Sequence, residues 1–271
     1  MEIVDRELEG ITPEALGSLL RSPQASSDTS HLLVLIEPSP TSRFVPRMRV
    51  VTTHVFNLFW DRHNLNQASD MAQLYDFFRG ISTTSLVPGM IFEVRIHQLL
   101  KKGRYLFLTP IGGRLADRNI VYDDYGTASM TVNKLITLDP LAEAPLTDGI
   151  ALNPGYYYQP QISNFPTIGS LVLCPSVAGQ PPILVIFQIT YGVEDSAIKQ
   201  VGLERIDQLG IPQNAEKVLV IVTPENVKPK ITVPMTYLTD AFLAGRTPDT
   251  AFPVYHLQIA RESLFSATQS P

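Results

Sequence analysis

The sequence predicts an α/β protein: a mixed β-sheet flanked by helices, preceded by a small helical N-terminal part. Three observations predict it. First, two short apolar runs, 168–174 (IGSLVLC) and 183–190 (ILVIFQIT), flank PSVAGQPP. The Gly and Pro residues of that segment mark a turn, so the runs read as a hairpin. Second, the later run is apolar on both faces until its end, the pattern of a central strand covered on both sides. Third, residues 197–207 place Ile198, Val201, Leu203 and Ile206 at helical spacing, and a further strand candidate follows at 217–223 (KVLVIVT). Strand, strand, helix, strand is the core.

From the N-terminus, the elements follow in order. Thr12 can cap a short helix whose first turn holds Pro13 and whose face is Leu16, Leu19 and Leu20. Residues 22–30 (SPQASSDTS) read as a linker. Residues 31–37 (HLLVLIE) read as a strand ended by PSPTS. Residues 45–63 read as a helix after Pro46, because Val51, Val55 and Leu58 fall on one face. A helix over 70–81 would bury Met71, Leu74, Phe77 and Phe78. Another over 88–102 would bury the stripe Phe92, Ile96, Leu99 and Leu100, with Glu93 and His97 four apart on its flank and Gly103 at its end. Residues 105–111 are strand-like, and GGR turns the chain.

Composition bounds the function. A chain of 271 residues buries a sizeable core and makes one or two domains, divided here as 1–84 and 85–271. The single cysteine, Cys174, allows no disulfide within the chain, which suits a reducing compartment. Residues 1–20 carry five acids and no apolar signal core, and no run reaches the length of a membrane span. The expected location is intracellular, nuclear or cytoplasmic, with no membrane partner. No GxxxxGK[ST] phosphate loop is present, so no nucleotide is expected. At a net charge of −5, bulk electrostatics does not favour nucleic acid, and any such binding must be local.

The phrases YYYQPQISNFPTIGSL, LVIFQIT and GLERID, with VPGMIFEVRIHQLLKKG before them and KVLVIVTPENVKPKITVP after, resemble the C-terminal nuclease-like domain of Crinkler and retrotransposon-hot-spot-type proteins. The resemblance covers roughly 86–265. It implies a restriction-endonuclease-like (PD-(D/E)XK) fold, and HLLVLIEPSPTSRFVPRMRVVTTHVFNLFWDR resembles the end of the ATPase module that precedes that domain in the family. A nuclease of this fold needs an acidic cage for Mg²⁺ or Mn²⁺, which orients a water and stabilises charge on the phosphate. By the resemblance, Glu93 matches the helix acid and metal ligand. Gln188 and Thr190 match the strand pair, reading QxT where nucleases of this fold read ExK, and Gly169 stands where the family has an aspartate.

The resulting expectation is a degenerate, non-cleaving relative that keeps a surface for DNA or for a protein partner and needs no cofactor. One alternative is an active Mg-dependent DNA nuclease in which Asp123, Asp124 or Glu194 supplies the missing carboxylate. Another is an interaction protein that dimerises with intact Crinkler-type relatives and blocks them. Lys101, Lys102, Arg104 and Arg114, with Arg118 nearby, are the candidate phosphate contacts. Each residue also has a plainer reading: Glu93 as a solvated helix carboxylate, His97 as a core histidine, Gln188 and Thr190 as partners of backbone groups, YDDYG as a solvated turn, the Tyr156–Tyr158 run as a packing plug, and Lys101 and Lys102 as cations at a helix C-terminus.

Overall fold

The computed structural model describes residues 34–39, 42–50, 71–72, 75–76, 79, 86–125, 133–160, 168–176, 179–192, 196–238, 247 and 252–266. The chain divides into two compact units, Met1–Phe92 with Phe265–Pro271, and Glu93–Leu264. The boundary between these units falls inside a continuous helix, α1 (Leu86–Lys101).

In the first unit, β1 (Val34–Ser39) and β2 (Ser42–Val50) form an antiparallel hairpin with a register shift at Pro38/Ser39. Residues 34–37 of the strand expected over 31–37 lie in β1, and 31–33 lie outside the described residues. The helix expected from residue 45 does not begin there: residues 45–50 belong to β2, and the N-terminal part is not purely helical. The arginines at 43, 47 and 49 recur at even spacing, which is a strand period, and the prolines at 38 and 46 face each other across the pair. Residues 71–72, 75–76 and 79 are helical, with Met71 and Tyr75 buried, and the Tyr75 ring packs 5.2 Å from that of Phe265. The short helix near Thr12, the linker and residues 51–63 lie outside the described residues.

The second unit is built on an eight-stranded mixed sheet, ordered β6-β3-β14-β12-β10-β9-β8-β7. These are β3 (Arg104–Pro110), β6 (Lys134–Leu138), β7 (Ala142–Leu146), β8 (Tyr156–Pro160), β9 (Ser170–Cys174), β10 (Ile183–Ile189), β12 (Glu216–Pro224) and β14 (Val254–Ile259). At its centre β8, β9 and β10 run as an antiparallel meander. A crossover through α2 (Gln200–Asp207) then brings β12 in parallel to β10, and β14 lies parallel to β12. Apolar runs on both faces of β10 and β12 match their central position: Leu184 to Phe187 and Val218 to Val222 are at most 1% exposed.

A second sheet, ordered β11-β13-β5-β4, comprises β11 (Ser196–Ala197), β13 (Ile231–Pro234), β5 (Asn119–Asp124) and β4 (Gly112–Ala116). The GGR segment read as a turn thus lies inside β4, and the reversal comes at Asp117, whose φ is +53°. Tyr122, Asp123 and Asp124 likewise end β5 rather than sit in a turn.

The main core joins these layers. Ile120, Tyr122, Ile231 and Val233 of the small sheet and Leu203 and Ile206 of α2 pack with Tyr158, Leu171, Leu184, Ile186, Leu219 and Ile221 of the large one. In α2 the expected apolar face is only partly correct: Ile198, Leu203 and Ile206 are buried, but Val201 is 54% exposed and Gly202 takes the inward position.

Candidate functional site

The faces of the large sheet decide which predicted residues can meet. Directly opposed residues in a sheet project to the same side. Ser170 opposes Phe187, and Val172 opposes both Val185 and Tyr157. These side chains therefore share one face, and Gln188, next to Phe187, stands on the other with Leu184 and Ile186.

On the first face, a polar chain runs from α1 into the sheet. His97 Nε2 lies 3.7 Å from Glu93 Oε1, its Nδ1 lies 2.6 Å from Tyr157 Oη, and Tyr157 donates to Ser170 Oγ at 2.6 Å. Because the Tyr157 hydrogen is given to Ser170, its oxygen accepts from His97 Nδ1–H. His97, Tyr157 and Ser170 are buried, at 5%, 0% and 0% exposure. Burial is the main cause that holds the Tyr157 phenol far above its ordinary range, reinforced by Glu93 and Glu143 and opposed by the bond to Ser170. With its hydroxyls closed to solvent, the bonded chain His97–Tyr157–Ser170 fixes α1 on the sheet, and the outward Glu93 lies 3.7 Å from its imidazole end.

On the second face, parallel pairing aligns Gln188 with Ile221 and Ile221 with His256, and His256 is opposite Thr109. One row crosses four strands, from Gln188 at the end of β10 to Thr109 near the end of β3. Gln188 Oε1 is buried and accepts no hydrogen bond among the described residues. Thr190 lies just past β10, its amide donating to Val222 O at 2.9 Å. Gly169 lies just before β9 and donates its amide to Phe187 O at 2.8 Å. A Cβ at 169 would stand 3.3 Å from that carbonyl oxygen and 3.6 Å from the Ile189 side chain. The structure thus brings Gly169, Gln188 and Thr190 to adjacent strand ends. It does not place Gln188 on the face where Glu93 meets His97, so Glu93 and Gln188 do not form the side-by-side pair expected of a metal cage.

The remaining candidates separate in the same way. Lys101 bonds Glu143 Oε2 at 2.6 Å, and Arg114 bonds Asp123 Oδ2 at 2.8 Å, which raises the Arg114 pKa. Lys102 and Arg118 are exposed. Asp123 is already committed to Arg114, Asp124 opposes Gly112 in the small sheet, and Glu194 lies outside the described residues. The Tyr156–Tyr158 run forms β8, with Tyr157 and Tyr158 buried on opposite faces and Tyr156 41% exposed. Cys174 is half-buried on β9, and burial pushes its thiol up to about 11, so it is a poor nucleophile.

Arg104 is the one predicted cation that lines a groove, beside Tyr105, Phe107, Tyr125, Lys228 and His256. His256 is buried, meets Thr223 Oγ1 at 2.8 Å through Nε2, and takes the edge of Tyr125 at a ring distance of 4.9 Å. Burial first and Lys228 second pull its imidazole down to about 4, against a backbone bond at Val227. Sequence reasoning missed this groove because its parts come from β3, β14 and the loops after β5 and β12. The one available signal was the apolar alternation in RYLFLTP, which turns Tyr105 and Phe107 to a common face.

Compared with known proteins, the chain matches no family model, no curated protein and no solved structure. Among the described residues no group of three His, Cys, Asp or Glu side chains is placed to hold a metal ion, and no helix is long and apolar enough to cross a membrane.

Proposed function

We propose that this chain is a restriction-endonuclease-like protein, related to the Crinkler-type nucleases, that binds nucleic acid without cutting it. The connectivity supports the fold: helix α1, the antiparallel meander β8-β9-β10, the crossover helix α2 and the parallel strand β12 occur in the order of such a core, with β3 to β7 inserted between α1 and β8. The observation that carries the loss of cleavage is the chemistry at the ends of β9 and β10. Gly169 offers no side chain, Gln188 is neutral, and Glu93 is turned to His97 on the other face. A hard divalent cation prefers several charged oxygen donors, and these residues do not supply them together.

The test is incubation of the purified chain with duplex DNA, single-stranded DNA and RNA in Mg²⁺ and in Mn²⁺. No product is expected. Cleavage by the wild type that disappears in Glu93→Ala would overturn the reading. Gly169→Asp adds a carboxylate at the start of β9, where φ lies outside the left-handed region and the closest contact is the 3.3 Å approach to Phe187 O. With Gln188 neutral and Glu93 on the other face, that single carboxylate should give no Mn²⁺-dependent rise in melting temperature; a rise that the wild type lacks would show a metal bound to the folded state and overturn this account of the site.

A further inference from the structure

On the face of the large sheet that carries Gln188, a groove of about 440 Å³ opens at the ends of β3 and β14. It is large enough for a nucleotide-sized ligand. Its floor holds two aromatic side chains that the fold leaves in solvent: Tyr105 is 73% exposed and Phe107 62%. They stand two residues apart on β3, about 7 Å along the strand. That is roughly twice the 3.4 Å rise of stacked bases in a duplex strand, so the pair suits bases already pulled apart.

The opposite wall is held in place. Tyr125 donates its hydroxyl to Pro229 O and packs against His256, and the Lys228 ammonium sits 5.6 Å above its ring. The charge is one-sided. Arg104 and Lys228 line the groove and no carboxylate does; Asp123, whose charge reaches the lining Tyr125, is paired with Arg114, and neither lining cation is in an ion pair among the described residues. Elsewhere Lys101, Arg114, Lys134 and Lys217 each sit against an acid. In a chain of net charge −5 this is a local field of the opposite sign, which is what an anionic aromatic polymer requires.

We infer that this groove binds single-stranded nucleic acid, with Tyr105 and Phe107 stacking on successive bases and Arg104 and Lys228 contacting the phosphates. The inference rests on the nucleic-acid reading above for the class of polymer and adds the strand form, the place and the residues. It uses a different patch from the Lys101, Lys102 and Arg114 concentration that the sequence suggested.

The experiment is fluorescence anisotropy of the full chain with labelled oligo-dT, oligo-U and a duplex of equal length. Single strands should bind more tightly than the duplex. Phe107→Ala should weaken binding at least about tenfold, the loss of one stacking platform. Lys228→Ala should reduce the slope of log affinity against log salt by about 0.7, the loss of one phosphate contact on a single strand. Arg114→Ala, which removes a cation paired elsewhere, should leave affinity unchanged. Phe107 and Lys228 are exposed, so both variants should keep the wild-type melting temperature; Tyr105→Ala repeats the stacking test at a second exposed site. Binding untouched by all three groove substitutions would overturn the assignment while leaving the non-cleaving reading intact. Absence of single-strand binding, preference for duplex, or a self-association abolished by Phe107→Ala without oligonucleotide binding would overturn it too. Cleavage of a bound strand, with the substitution pattern as expected, would instead overturn the non-cleaving reading and leave the groove standing.

Discussion

His256 is a neutral imidazole built into the interior at 4% exposure, between Thr223 and the Tyr125 ring, with the Lys228 charge nearby. Burial and that charge bring its pKa from the ordinary 6.5 to about 4. The unfolded chain therefore binds a proton between these two values that the folded chain refuses. The stabilisation is complete above pH 6.5 and is lost as pH falls toward 4, a change of about 3 kcal/mol. Urea unfolding at about pH 7 and about pH 4.5 should show this loss in the wild type, and His256→Gln should flatten it; a variant that retains the full slope would assign the acid sensitivity to other groups. Gln188, in the same cross-strand row, has a different standing. Its buried Oε1 has no bond among the described residues, and a buried acceptor left unsatisfied costs about 1–3 kcal/mol.

At the scale of elements, the junction of α1 and β3 is set by one glycine. Gly103 takes φ +79°, and its amide bonds Leu100 O at 3.3 Å as the helix ends. A Cβ there would meet Pro140 N at 2.6 Å and Leu138 O at 2.8 Å, both backbone atoms. Gly103→Ala therefore combines left-handed strain with a collision that no side-chain rotation relieves, and should cost at least about 2 kcal/mol. Gly155 separates the two effects: its φ is +87°, but nothing lies within 4 Å of its Cβ position. Gly155→Ala should cost about 1 kcal/mol, the conformational part alone. Equal destabilisation of the two in chemical denaturation would show that the contact with residues 138–140 carries no energy. The junction was visible in the sequence as a glycine ending a helical stripe. Its closeness to Pro140 was not, because that contact is made by β6 and the chain after it, which the sequence did not mark as structure.

Across the whole molecule, the legible parts were those with a long, unambiguous period. The stripe of Phe92, Ile96, Leu99 and Leu100 gave α1, and the continuous apolar runs gave β9, β10 and β12 with the helix between them. The small sheet and the edges of the large one were not legible. β4 is rich in glycine, β7 contains Pro145, β11 has two residues, and each is held by the strand it pairs with, β5, β8 and β13, rather than by its own pattern. The candidate site followed the same division: its strand-end residues could be located, but their faces depend on register, which a one-residue step reverses. The division of the chain into units has a testable consequence. Contacts divide the chain between Phe92 and Glu93, within the sixteen-residue α1. A fragment cut there keeps only residues 93–101 of that helix, below the length at which a helix holds without help. Its remaining anchors are the bonds of His97 to Tyr157, of Arg95 Nε to Leu264 O and of Lys101 to Leu141 and Glu143, with the burial of Ile96, Leu99 and Leu100. A fragment 85–271 retains the whole helix. It should melt cooperatively, whereas a fragment 93–264 should melt at lower temperature and expose the Tyr157 hydroxyl, read as a faster-exchanging, solvent-accessible phenol. Equal melting temperatures would show that the first two turns of α1 contribute nothing to the sheet-bearing unit.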